Sequence, residues 1–205
     1  MSKVSRVSAA AGVAAAGYWI GHLWWPLSDY ASAYGERVSH PQLHFMPGLL
    51  LILLAALAVG AGRVVASHGT RTARAIGRGF PAAIGLTGVG MMVETCGAVL
   101  DSWGENAVHS VGLAMTGGGL VLSLAAIMSL LGYVLWTGVL PRVAVLLFVA
   151  GLPSIALAGR TVTPLAVVST LALAGSAGWL AWAVHARSHD RSETTVATPQ
   201  LVAAY

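Results

Sequence analysis

Residues 79–101 read GFPAAIGLTGVGMMVETCGAVLD. No side chain from Gly79 to Val93 carries a charge; Glu94 then stands alone, and the next carboxylate is Asp101. A helix needs about 20 mainly apolar residues to cross a hydrocarbon core about 30 Å thick. The stretch therefore reads as a transmembrane helix with one ionisable group inside it. Such groups are costly in lipid and usually serve a function.

The rest of the chain fits that reading. Of 205 residues, 57% are hydrophobic and 9% charged, with a mean hydropathy of +0.77. Soluble domains carry about 25% charged residues, so there is too little charge here to cover a soluble surface. The fold expected is all-α: a polytopic helical bundle with about six spans, near residues 7–27, 45–62, 79–100, 107–140, 143–158 and 163–184. The fourth is long enough to tilt, and the fifth is short and broken by Pro153. The bundle is expected over residues 1–185, followed by a polar, disordered cytoplasmic tail over 186–205.

Lys3, Arg6, Arg63, Arg71, Arg74, Arg78, Arg142, Arg187 and Arg191 fall on one side of this topology, against Arg37 and Arg160 on the other. Cytoplasmic loops hold the excess of Lys and Arg, which places both termini inside a multi-pass protein of the cell membrane. The same rule explains the pI of about 9.7 without nucleic-acid binding. The first span is read as retained, because Trp24, Trp25 and Pro26 make a poor approach to a signal-peptide cleavage site at Ala31–Ala33.

Glu94 lies about fifteen residues from the inner end of its span, or roughly 22 Å deep, in the outer half of the core. At helical spacing it shares a stripe with Thr87, Gly90, Met91, Gly97 and Asp101, while Leu86, Val89, Val93, Cys96 and Leu100 occupy the opposite side. Small and polar residues on one face place Glu94 toward the bundle. Cys96 is read as a small core hydrophobe. The next span repeats the pattern with His109, Gly112, Thr116, Gly119, Ser123 and Ala126, and the first aligns Ala11, Ala15, Tyr18, His22 and Trp25. With His40, His44 and Glu105, these residues gather most of the titratable groups in the outer half. The short link after Asp101 makes the two polar spans antiparallel neighbours, with Gly112 and Thr116 near the level of Glu94 and His109 between Gly97 and Asp101.

Several classes fail on particular residues. Lys3 is the one lysine, so no span can carry a retinal Schiff base, and a single cysteine excludes dithiol redox chemistry. The leading expectation is an enzyme, a lyase, isomerase or cyclase, acting on a membrane lipid or other lipophilic, isoprenoid-like small molecule. A carboxyl in an apolar site holds its proton more tightly, which suits it to acid–base work. Glu94, Asp101, His109 and His22 are the catalytic candidates. Tyr18, Trp25, Met91, Thr116 and Trp103 are candidates for binding substrate, their aromatic faces suited to a carbocation. The bland alternative is a structural acid held by Thr87, Tyr18 or a helix carbonyl. Three other functions compete. His22, His44 and His109 with Glu94 or Asp101 could ligate zinc, iron or copper. Two of those histidines could instead hold haem b for electron transfer. Glu94 could also carry protons in a coupled transporter. The leading reading requires no cofactor, and an oligomeric or larger complex stays open.

Overall fold

The computed structural model describes residues 3–24, 40–101, 107–157 and 164–202. In chain order the elements are α1 (Lys3–Trp24), α2 (His40–Ala66), α3 (Arg71–Asp101), α4 (Ala107–Thr137), α5 (Arg142–Gly151), α6 (Pro153–Leu157) and α7 (Pro164–Val202). There is no strand among the described residues. Among the described residues, four segments are long and apolar enough to cross a membrane: Phe45–Ala66, Arg71–Gly97, Ala107–Thr137 and Pro164–Arg187. The apolar segment Arg142–Ile155 is shorter and is interrupted at Leu152, where the helix breaks and restarts with Pro153, whose missing N–H is tolerated in a first turn.

Helices run past the apolar spans that hydropathy marks. α2 continues through Arg63, and α3 already begins at Arg71, since a helix that leaves lipid can satisfy its side chains in water. Between them, Gly69 takes a positive φ of 79° and the Thr70 hydroxyl accepts the Ala73 N–H at 3.0 Å, capping α3. α4 stops at Gly138, whose φ of 65° lets its N–H reach the Val134 carbonyl. α7 continues past the expected bundle boundary to Val202, with no glycine or proline from Trp179 to Thr198 to interrupt it. Pro41 falls in the first turn of α2, where proline is accepted, so His40 and His44 lie one turn apart on one helix.

The helices pack in the order α4, α3, α2, α1, α7, α5, with α2 also touching α7. Trp19, Leu50, Leu54, Leu57, Ile84, Leu140 and Leu173 are among the largest fully buried side chains, and Phe80 meets Phe148 edge-on. Several contacts define one end of the bundle. Ser8 and Val184 both flank Gly60, His68 stacks edge-on against Tyr133, and Arg187 donates to the Val139 carbonyl. These bring Lys3, Arg6, Arg63, Arg71, Arg142 and Arg187 to that end. At the opposite end, Trp19 donates its indole N–H to the Ser154 hydroxyl at 2.9 Å. That hydroxyl in turn donates to the Gly151 carbonyl, freed where α5 breaks.

At Gly62 and Gly77 the backbones of α2 and α3 touch, each glycine's Cα facing the other's carbonyl oxygen. Pro81 lacks the N–H that would otherwise bind the Gly77 carbonyl, so a Cα–H···O contact reaches an acceptor the helix leaves open. Gly62→Ala should lower the unfolding free energy in detergent by about 1–3 kcal/mol, as overpacking does. Gly132→Ala, where a Cβ meets nothing within 4 Å, should show no loss; equal losses at both positions would contradict the contact.

Candidate functional site

The two polar stripes face each other across α3 and α4. Thr87 lies against Gly119, Gly90 against Thr116, Glu94 against Gly112, and Gly97 against His109. These pairs share one antiparallel register, so the seam is continuous over three turns. A side chain at Gly112 would run into the Glu94 backbone, and one at Gly97 into that of His109. Below the acid, the Thr87 and Ser123 hydroxyls pair at 2.9 Å, with Thr87 also bonded to the Ala83 carbonyl.

Glu94 is 4% exposed and is the one buried ionisable side chain among the described residues. Thr116, on the facing helix, donates its hydroxyl to Glu94 Oε2 at 3.2 Å. His109, half-buried one register step outward, places Nδ1 3.4 Å from the Glu94 backbone carbonyl. A carbonyl can only accept, so Nδ1–H is the donor wherever this contact forms. The seam thus holds a carboxyl, a hydroxyl and an imidazole within about two turns. Such a set can hold, donate or accept a proton away from bulk water.

Of the substrate-binding candidates, Thr116 touches the acid itself and Met91 packs against Gly48 of α2. Tyr18 donates its hydroxyl to Met46, with the sulfur at 2.8 Å and the carbonyl at 3.3 Å. Tyr18 thus meets α2 from α1, and Met91 meets α2 from α3. Trp25 and Trp103 lie outside the described residues. His22, His44 and Asp101 fall on α1, α2 and α3, but their side chains lie outside the described residues. Among the described residues, no group of three His, Cys, Asp or Glu side chains could hold a metal ion.

Two sequence expectations change. Cys96 is exposed on the outer surface of the bundle rather than packed in the core, consistent with its place opposite Glu94. α1 buries Ser8, Gly12, Ala15 and Trp19, with Ala11 and Tyr18 half-buried beside them, so the buried face shares Ala15 with the expected Ala11–Ala15–Tyr18–His22–Trp25 stripe and is rotated from it toward Trp19. Trp19, 1% exposed, lies outside that stripe, and because residues 8–17 are nearly all small no pattern in the sequence marks its face.

The molecule these features define is an integral-membrane helical bundle with a buried acid in an interhelical seam. Compared with known proteins, the chain matches no family, no curated protein and no solved structure at a significant level.

The Thr116–Glu94 bond should register as a coupling. In a double-mutant cycle of Glu94→Met and Thr116→Val, unfolding in detergent should give an interaction energy of about 0.5–1.7 kcal/mol, the range for interhelical hydrogen bonds in membranes. Strict additivity would show that the two side chains do not interact.

Proposed function

We propose that this protein is a multi-pass enzyme of the cell membrane that uses Glu94 to exchange a proton with a lipophilic, isoprenoid-like substrate. The observation that carries the reading is the Glu94 carboxyl, 4% exposed within a membrane-spanning helix and bonded by a hydroxyl from the facing helix. The cation-bearing end faces the cytoplasm in this reading, and so do both termini, which sets Glu94 in the outer half of the bilayer. The chemistry is an isomerisation or cyclisation with no net change in atoms. Glu94 delivers its proton to one carbon of an alkene, a carbocation forms, and the carboxylate removes a proton from a neighbouring carbon. Thr116 holds the carboxylate oxygen while the charge changes. His109, one step outward, and Asp101 beyond it exchange the regenerated Glu94 proton with water between turnovers. Tyr18 and Met91 face the carbocation with polarisable groups.

A second reading is favoured by the contact of His109 with the Glu94 backbone. A carboxyl, a hydroxyl and an imidazole in succession from the core outward also make a proton path, as in a coupled transporter.

One pair of assays separates the two. Purified protein incubated with polyprenyl lipids in D₂O should yield an isomer carrying one solvent deuterium, and Glu94→Gln should yield none. Labelled product from Glu94→Gln would overturn the enzyme reading. No labelled isomer from the native protein, with Glu94-dependent proton uptake by reconstituted vesicles, would favour transport instead.

A further inference from the structure

At the cation-bearing end, away from the Glu94 seam, α1 and α7 flank an open, shallow valley of about 460 Å³. Its walls are regular. Arg6 and Val13 of α1, and Gly178, Ala181, Trp182 and His185 of α7, sit at helical spacing on facing sides. The antiparallel register sets Arg6 opposite His185 at the mouth and Val13 opposite Gly178 at the far end. Seven residues at 1.5 Å each make the valley about 10 Å long. Its floor is apolar, and a Cβ added at Gly178 would meet nothing within 4 Å, so the far end is open space. Trp182 and Val13, 65% and 64% exposed, form apolar rims.

We propose that this valley is a binding site for an anionic phospholipid, with one acyl chain along the α1–α7 floor and the phosphate at Arg6 and His185. Charge and shape select this occupant together. Arg6 presents a guanidinium fork suited to phosphate, and Lys3 adds a second cation one turn away on α1. A free anion would leave the apolar floor uncovered, and a zwitterionic lipid would offer the cations no net charge. Basic clefts between helices at the cytoplasmic face are where acidic headgroups bind. The site stands independently of any role for Glu94.

The test is native mass spectrometry of the full chain in detergent with phosphatidylglycerol and phosphatidylcholine of identical acyl chains. Native protein should retain phosphatidylglycerol preferentially. Arg6→Gln, an exposed substitution that leaves the fold intact, should weaken that preference about fivefold, the effect of one cation at a membrane surface. Gly178→Leu should fill the floor and reduce retention of phosphatidylglycerol, while inorganic phosphate should not displace the lipid. Equal retention of both lipids, an unchanged preference in Arg6→Gln, unaltered retention in Gly178→Leu or displacement by phosphate would each overturn the proposal.

Discussion

The close approach of α3 and α4 is the constraint on which the rest of the site depends. In lipid there is no hydrophobic force to press helices together, so association relies on packing and interhelical hydrogen bonds. Gly90, Gly97, Gly112 and Gly119 remove the side chains that would separate the two backbones. Only at that spacing can the Thr116 hydroxyl reach the Glu94 carboxyl and the His109 ring reach the Glu94 carbonyl. Widening the seam by one methyl layer would part all three groups at once.

The same economy governs the other helix pairs. Small residues face inward: Gly62 on Gly77, Gly12 on Ala181, Gly151 on Leu173. Many large apolar side chains face outward, with Val121 at 68%, Met128 at 61% and Trp136 at 89% exposed. In water this distribution would cost solubility; against lipid it costs nothing, because acyl chains are as apolar as leucine. Breaks in the helices are also accounted for, since polar backbone groups cannot go unmet at membrane depth. Ser154 takes up the Gly151 carbonyl where α5 ends, and itself receives the Trp19 indole N–H.

Much of this was legible in the sequence for a physical reason. Glu94 stands out because an isolated charge in an apolar run has few innocent explanations. Its facing partners could be placed because the short 102–106 link forces adjacent antiparallel helices, so that Gly112 and Thr116 must come level with it. Two features escaped. Composition marks where apolar residues are, not where helices end, so α2 and α3 extend beyond their expected spans. In α1, nearly every residue from Val7 to Gly17 is small or apolar, so no face is marked by polarity. Steric fit to α2 and α7 decides instead, and that fit buries Trp19. Of the proposed site, the seam residues emerge from spacing alone. The contributions of His22, Trp25 and Trp103 depend on segments whose conformation spacing does not determine.

The register of α3 against α4 is the central claim, and disulfide trapping measures it directly. In a Cys96→Ser background, Thr87→Cys paired with Ser123→Cys replaces hydroxyls 2.9 Å apart, so the two sulfurs should meet within bonding geometry. Mild oxidation in native membranes should cross-link this pair rapidly. Thr87→Cys paired with Thr116→Cys, offset along the seam, should remain largely reduced. Preferential cross-linking of the offset pair would shift the seam, part Thr116 from Glu94 and contradict the account.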